Sequence, residues 1–167
     1  MRPLAAALAA LALLAAGPVA AAPPQPGTAL FLGVHLIDTS AEGQIGGVRA
    51  DQTARVEMVE ALVRDELIAH GFTVTEPAPE EIAGVADPGD CNGCDSRLAA
   101  AKGLDYAVSG QVQKVSNLIL AFNLVIREAG TGRMVSGGSV DIRGNTDESW
   151  RRGMQYLLDN LIFREAP

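Results

Sequence analysis

The chain has 167 residues, of which 48% are hydrophobic and 20% are charged, and its formal charge is -7 at pH 7. This length suits one domain with a core of its own, and the hydrophobic fraction argues against a disordered chain. Lysine and arginine are scattered along the sequence, so the acidic surface repels phosphate groups and argues against nucleic acid or anionic lipid as partners.

The N-terminus has the pattern of a secretory signal peptide. Met1 and Arg2 form a short positive region, an uninterrupted apolar run extends from Leu4 to Ala16, and small residues precede the predicted cleavage after Ala21. The alternative is a short membrane anchor, but the run is shorter than the roughly 18 to 20 residues that span a bilayer. We therefore expect residues 1–21 to be removed and the mature chain to be a soluble periplasmic protein without a membrane span.

A Pro-rich linker and a buried strand are predicted to follow the leader. Residues 22–27, APPQPG, cannot hold regular structure. Residues 28–37 are apolar at nearly every position, which is typical of a central strand covered on both faces of an α/β sheet. Three glycines between residues 41 and 48 predict a flexible loop after this strand.

An amphipathic segment from Gln52 to His70 predicts the first helix, with Asp51 as its N-cap and Gly71 just past its C-terminus. The predicted apolar stripe consists of Val56, Val59, Leu62, Val63 and Leu67. Residues 72–75 alternate like a short strand. Because strand, helix and strand follow in this order, we expect the two strands to be parallel.

The second half of the chain predicts a short helix at residues 95–102 and then three strands at residues 104–115, 118–126 and 133–143. In the first of these strands we expect one buried face and one wet face. In the second strand the predicted buried face consists of Leu118, Leu120, Phe122, Leu124 and Ile126. The strands are joined by polar turns, as in an antiparallel meander.

A strongly amphipathic segment predicts the last helix. Asn145 with Glu148 three residues later resembles a capping box. The predicted core stripe consists of Trp150, Met154, Leu157, Leu158 and Leu161. The resulting order is β-α-β-α-β-β-β-α. We therefore predict a single α/β domain over residues 28–163, with helices packed on a mixed five-stranded sheet whose first three strands are parallel.

Cys91 and Cys94 form the one motif with possible chemistry. Two thiols at this spacing before a helix can close a structural disulfide, form an exchangeable redox pair, or bind a metal. An exported location favours the disulfide. Haem attachment is excluded, because Asp95 stands where the haem motif needs histidine. The two histidines lack a third ligand at zinc spacing, so we predict no metal site, no cofactor and no catalytic residues.

Two further groups of polar residues are candidate contact sites. Asp38, Thr39 and Ser40 lie just past the predicted central strand, where ligands often bind in α/β sheets; termination of the strand and helix capping are the alternative. The second group surrounds the last turn, and either capping or a docking surface explains it. This group consists of Arg143, Asn145, Asp147, Glu148, Arg151 and Arg152, and the docking candidates among them are Arg143, Asn145, Asp147 and Arg151.

Two stretches, GLDYAVSGQVQKVSNLIL at residues 103–120 and DIRGNTDESWRRG at residues 141–153, carry a family resemblance. With the leader and the C-x-x-C motif they resemble an exported proteobacterial family catalogued as domain of unknown function 2380. The element order is also similar to the N-terminal domain of TolB and to envelope lipoproteins, although no cysteine that could be acylated stands at the end of the leader here. The resemblance implies the compartment and the architecture, and it implies an association with periplasmic quinoprotein alcohol oxidation.

These observations predict a non-enzymatic binding or assembly module of the bacterial envelope, whose partner is another periplasmic or envelope protein. Such a module would present a sheet edge, or the loops around Asp38 and Cys91, to that partner. One alternative is a thiol-disulfide protein that uses Cys91 and Cys94. The other is an accessory protein of a quinoprotein alcohol-oxidation system, which the resemblance alone suggests.

Overall fold

A single twisted sheet of five strands organises the chain in a computed structural model that describes residues 23–164. The predicted signal peptide, residues 1–21, lies outside the described residues. The strands are β1 Thr28–Asp38, β2 Thr73–Thr75, β3 Tyr106–Ser116, β4 Ile119–Glu128 and β5 Met134–Ile142. The helices are α1 Ala41–Gly46, α2 Ala50–Ala69, α3 Cys94–Ala101 and α4 Asp147–Leu157. Two short 3-10 turns, Pro79–Glu81 and Pro88–Asp90, and a π-helical turn, Leu158–Ile162, complete the secondary structure.

The strand order is β2-β1-β3-β4-β5. β1 is parallel to both β2 and β3, and β3, β4 and β5 then form an antiparallel meander. The predicted α/β fold with a mixed five-stranded sheet is therefore confirmed. β2 and β5 are the two edge strands of this sheet.

Helices cover the two faces of the sheet unequally. α2 and α4 pack on one face and enclose the main core, which includes Phe31, Val63, Phe122, Trp150 and Leu157. On the other face, α3 covers only a small cluster in which Ala99 meets Leu30 and Ala107. The expectation that β3 has one wet face is wrong at Ala107 and Ser109, which are buried because α3 packs over that end of the strand.

A bulge interrupts β1 at Gly33, where φ is +83° and the register with β3 shifts. The side chain of Glu60 on α2 fills the gap, and its Oε1 accepts the backbone N–H of Val34 at 2.8 Å. A Cβ atom at position 33 would lie 2.6 Å from that same oxygen. This position therefore needs glycine both for its backbone angle and for space.

One predicted loop and two predicted helix starts are wrong. The predicted loop at residues 41–48 contains α1, whose first turn is capped because the Ser40 hydroxyl accepts the N–H of Gly43 at 3.1 Å. α2 begins two residues earlier than expected, with Arg49 rather than Asp51 at the N-cap. α4 is capped by Thr146 rather than Asn145, because the side chain of Asn145 accepts a hydrogen bond from Trp150 instead.

The core stripe of the last helix changes phase at the π-helical turn. Trp150, Met154, Leu157 and Leu158 are buried as predicted, but Leu161 is 38% exposed whereas Ile162 is 1% exposed. The wider turn adds a residue relative to the α-helical period, so the next inward position falls one residue later. The expected core position of Leu161 is therefore wrong.

The turn between β3 and β4 also differs from the expectation. Leu118 was expected to continue the buried face of the strand, but it lies in the turn before β4 begins at Ile119 and is exposed. The other four residues predicted for this face, Leu120, Phe122, Leu124 and Ile126, are buried.

Candidate functional site

A buried ion pair occupies the carboxyl end of β1. The Nζ of Lys114 lies 2.9 Å from Asp38 Oδ2 and also donates to Ser40 Oγ at 3.1 Å. Asp38 accepts further hydrogen bonds, from the hydroxyl and backbone N–H of Ser40 and from Gln52 Nε2 on α2. The pair thus joins β1, β3, the cap of α1 and the start of α2.

The Asp38 carboxyl is held in its ionised form. Burial alone would raise its pKa, but hydrogen bonds from Ser40, Lys114 and Gln52 outweigh that effect and lower the pKa to about 2. Thr39 is exposed, and its N–H and hydroxyl both donate to the carbonyl of Lys114. The ligand or partner role of Asp38, Thr39 and Ser40 stays a prediction, and the side chains of Asp38 and Ser40 are already engaged inside the protein.

Sequence reasoning missed Lys114 and Gln52. The sequence did contain a signal for Lys114, because it has the same parity in β3 as Val108 and Val112 and therefore points into the core. Gln52 carried a similar signal, because it lies four and seven residues before Val56 and Val59, on the apolar stripe of α2, and it is buried.

Cys91 and Cys94 are bonded, with their sulfur atoms 1.97 Å apart. Cys94 is the first residue of α3, and its backbone N–H donates to Cys91 Sγ at 3.1 Å. The two residues between them adopt positive φ angles, 55° at Asn92 and 79° at Gly93. The sulfur of Cys91 therefore lies at the positive end of the α3 dipole.

A buried carboxylate follows the disulfide. Asp95 is 2% exposed, and its Oδ2 has no hydrogen-bond partner among the described residues. The nearest cation is Arg127, whose Nε lies 3.4 Å from that oxygen. This arrangement is an ion pair that closes one side of a polar cleft of about 520 Å³ beside α3.

Three of the four residues predicted as a docking surface contact α2. Asn145 and Asp147 both accept hydrogen bonds from Arg55 on α2, which ties the start of α4 to that helix. Arg151 faces Met58, with its Nη2 3.3 Å from the Met58 sulfur. Arg143 directly follows the last residue of β5. Their docking role stays a prediction. The structure brings Arg143 to a groove beside β5 and Asn145 to a separate groove.

β5 is an open edge. It pairs with β4 on one side and with no other strand among residues 23–164, although it is nine residues long. Its sequence, MVSGGSVDI, contains no proline or lysine and one charge, Asp141. Natural edge strands are usually short, charged or interrupted, because unpaired backbone groups attract other strands.

A groove of about 710 Å³ runs between β5 and α4. We call it the β5 groove, and the residues that matter for its chemistry are Val140, Ile142, Arg143, Arg152, Tyr156 and Asp159. A second, smaller groove of about 350 Å³ follows the start of β5. Three exposed apolar side chains, Met134, Tyr156 and Leu161, line these grooves, so apolar surface is available beside the unpaired backbone.

Neither a metal centre nor a membrane helix is present in the described part of the chain. Between residues 23 and 164 no group of three or more His, Cys, Asp or Glu side chains could hold a metal ion. Within the same residues none of the helices has the length and apolar character needed to cross a bilayer.

Comparison with protein families matches residues 27–162 to DUF3280, described as "Protein of unknown function (DUF2380)". The match covers nearly all of the described residues, and it confirms the resemblance that the two sequence stretches indicated. Comparison with curated proteins found no match.

Several solved structures are similar at low identity. The LpoB C-terminal domain from Salmonella enterica is 16% identical, with a TM-score of 0.46 and coverage of 71% of this chain and 84% of that one. Lipoprotein GNA1162 from Neisseria meningitidis is 16% identical, with a TM-score of 0.47 and coverage of 73% and 84%. The PelC dodecamer from Paraburkholderia phytofirmans is 13% identical, with a TM-score of 0.42 and coverage of 85% and 88%. Similarity at this level carries no argument about function, and the likeness to TolB and the link to alcohol oxidation stay predictions.

Proposed function

The chain belongs to the DUF3280 family of unknown function, and we propose that it is a non-enzymatic binding module of the bacterial envelope. In this proposal the module receives an extended segment of a partner protein as a sixth strand along the open edge of β5. The periplasmic location is part of the proposal. It is supported by the signal-peptide pattern of residues 1–21 and by the bonded pair of Cys91 and Cys94, since disulfides persist in oxidising compartments.

The observation that carries the proposal is the unpaired nine-residue edge beside the β5 groove. In strand addition, main-chain hydrogen bonds to the edge supply affinity, and side chains that alternate into a neighbouring groove supply specificity. β5 offers both elements, because α4 forms the second wall of the groove.

The other edge strand, β2, does not offer a long unpaired edge. β2 is three residues long, Thr73–Thr75, and two prolines follow it at positions 77 and 79. Such an edge is protected by its shortness and by proline, which lacks a backbone donor. We therefore expect a partner strand at β5 and not at β2.

Site-specific photocrosslinking in the periplasm tests the proposal. Benzoylphenylalanine at Tyr156 would report on the β5 groove, and the same group at Ile68 is a matched control, because the two side chains are 55% and 54% exposed. Ile68 lies on α2, outside both grooves. We expect one discrete adduct from position 156 that is absent from position 68. Adducts of equal yield from both positions, or none from position 156, would contradict the proposal.

A second candidate function, thiol-disulfide exchange, is favoured by one contact. The Cys94 N–H donates to Cys91 Sγ at the N-terminus of α3, and this environment stabilises a thiolate on Cys91 after reduction. In such exchange, a thiolate of a partner dithiol would attack Cys91 and release Cys94 as a thiolate. The second partner thiolate would then break the mixed disulfide, so the partner is oxidised and the pair is reduced.

Titration of the cysteine pair against glutathione distinguishes exchange from a structural role. A structural bridge should have a reduction potential below about -300 mV, whereas an exchanging pair is less reducing. The binding module that we propose needs only the structural bridge. A potential near that of glutathione would favour the second function.

A further inference from the structure

The charges along the β5 groove indicate which segment it accepts. Resting on the proposed strand addition, we propose that the groove selects an extended segment in which an acidic, an apolar and a basic side chain alternate. From the N-terminus to the C-terminus of the segment the pattern is acid, any residue, apolar, any residue, base.

α4 and the following π-helical turn run back along β5, so later residues of the helix lie beside earlier residues of the strand. A Cβ at Gly153 would touch Ile142, and a Cβ at Gly138 would touch Leu161 and Leu157. These contacts order the groove from the Ile142 end to the Gly138 end. A segment lying along β5 therefore meets the residues of α4 in a fixed sequence.

The spacing of the helix matches the spacing of an added strand. Arg152, Tyr156 and Asn160 are four residues apart and line the same groove, so they lie roughly 6 Å apart along the helix axis. Alternate side chains of a strand lie roughly 6.7 Å apart. Three alternate side chains of the added segment can thus face these three helix positions in turn.

The end of the groove near Ile142 is positively charged. Arg143 is exposed and has no ion-pair partner among the described residues. Arg152 is exposed as well, and it makes one long contact with exposed Glu148, at 3.5 Å. Two arginines against one glutamate leave a net positive charge, which favours an acidic side chain on the segment.

The middle of the groove is apolar. Tyr156 is largely exposed, and Val140 on β5 lies in the same groove. Gly153 lets α4 pack closely against β5 at this point, because a Cβ there would collide with Ile142. An aliphatic or aromatic side chain placed here would bury the exposed face of the tyrosine ring.

The far end of the groove is negatively charged. Asp159 is exposed, and one hydrogen bond, from Gln155 Nε2 at 2.9 Å, occupies part of its carboxylate. Asn160 is its neighbour in the groove. A lysine or arginine of the segment can reach the remaining oxygen of Asp159.

The direction of the segment follows from strand pairing. Antiparallel pairs are slightly more stable per residue than parallel pairs. An antiparallel segment places its N-terminal part beside Ile142, where Arg143 and Arg152 lie, and its C-terminal part toward Asp159. The acidic side chain therefore precedes the apolar one, and the basic one follows it.

Two peptides of identical composition test this pattern. One has the order Thr-Glu-Thr-Leu-Thr-Lys-Thr, and the other exchanges its glutamate and lysine. Titration of isotope-labelled protein at low salt, followed by the amide shifts of β5, gives both affinities. We expect the first peptide to bind about fivefold more tightly, from two partly exposed charge pairs.

Charge reversal shows whether the arginines of the β5 groove cause the difference in affinity between the two peptides. R143E/R152E should remove the preference, whereas R151E is a matched control that should keep it, because Arg151 lies against Met58 outside the groove. Equal affinity of both peptides, a preference for the exchanged peptide, or no binding of either would overturn the charge pattern. In each of those cases a Tyr156 adduct from the periplasm would still support strand addition, so the two proposals fail separately.

Discussion

Lys114 on β3 and Asp38 at the end of β1 form a buried ion pair across 76 positions of sequence, with 2.9 Å between Nζ and Oδ2. The pair lies where β1 gives way to the cap of α1. Its side chains are satisfied by Ser40 and Gln52 in addition to each other. This site therefore fixes the junction of sheet and helices, and it is the polar contact whose loss we expect to matter most for stability.

Replacing Lys114 with methionine should destabilise the fold by about 3 kcal/mol, because breaking a buried pair leaves one charge uncompensated. Chemical denaturation measures the change in the free energy of unfolding. K102M is the control, since Lys102 forms an ion pair with Glu81 near the surface and its loss should cost much less. An equal loss of unfolding free energy in the two variants would show that the Asp38–Lys114 pair does not stabilise the fold more than the Glu81–Lys102 pair does.

Acid should weaken the protein through Asp38. Its pKa in the folded state is about 2, below the ordinary value of 3.8, so its contribution is present above about pH 4 and is lost as the pH falls through 2. The side chain is only 6% exposed, and the shift corresponds to about 2 kcal/mol. Unfolding free energies between pH 5 and pH 2 should fall less steeply in D38N than in the natural chain. Parallel curves would rule out this role.

A side chain at position 33 should destabilise the fold. In G33A the new Cβ would displace Glu60 from the Val34 N–H and would impose a positive φ on alanine. G84A is the matched control, because Gly84 has a φ of +85° and open space around its Cβ position, so it reports the backbone cost alone. We expect G33A to lower the unfolding free energy by about 1 to 3 kcal/mol more than G84A does. Similar values for both would mean that Glu60 contributes nothing.

Because of the π-helical turn, we expect Ile162 to contribute more to the stability of the fold than Leu161, whereas a regular α-helix would give the reverse. Ile162→Ala removes a fully buried side chain and should cost about 2 to 4 kcal/mol, whereas Leu161→Ala removes a partly exposed one and should cost clearly less. Thermal and chemical unfolding of the two variants measure the difference. The regular α-helical period would give the opposite order.

The sequence allowed the prediction of the sheet, because period-two alternation in β3 and β4 and the apolar run of β1 are strong local signals. It did not allow the prediction of Thr146 as the cap of α4 or of the shift from Leu161 to Ile162. Those features depend on which side chain Trp150 finds as a hydrogen-bond partner and on how tightly the last turn packs against Gly138. Tertiary contacts decide both.

The site at the edge of β5 could be predicted only in part from the sequence, for a similar reason. A sheet edge was expected as a contact surface, but the position of β5 at the edge follows from the strand order, and the groove exists only once α4 lies beside it. Arg143 was identified as a candidate and Arg152 belonged to the same charged group, whereas Tyr156 was not identified. The local pattern predicts on which face of its helix or strand a residue lies. Only the packing of the elements shows what that face contacts.

Amide hydrogen exchange along β5 tests strand addition most directly. The protein is measured alone and in the complex purified through the Tyr156 adduct, with β2 as an internal reference. We predict that alternate amides of β5 exchange rapidly in the free protein and slow by at least about tenfold in the complex, while the amides of β2 do not change. Unchanged exchange along β5, with protection at β2 or elsewhere, would show that the partner is bound without using the open edge.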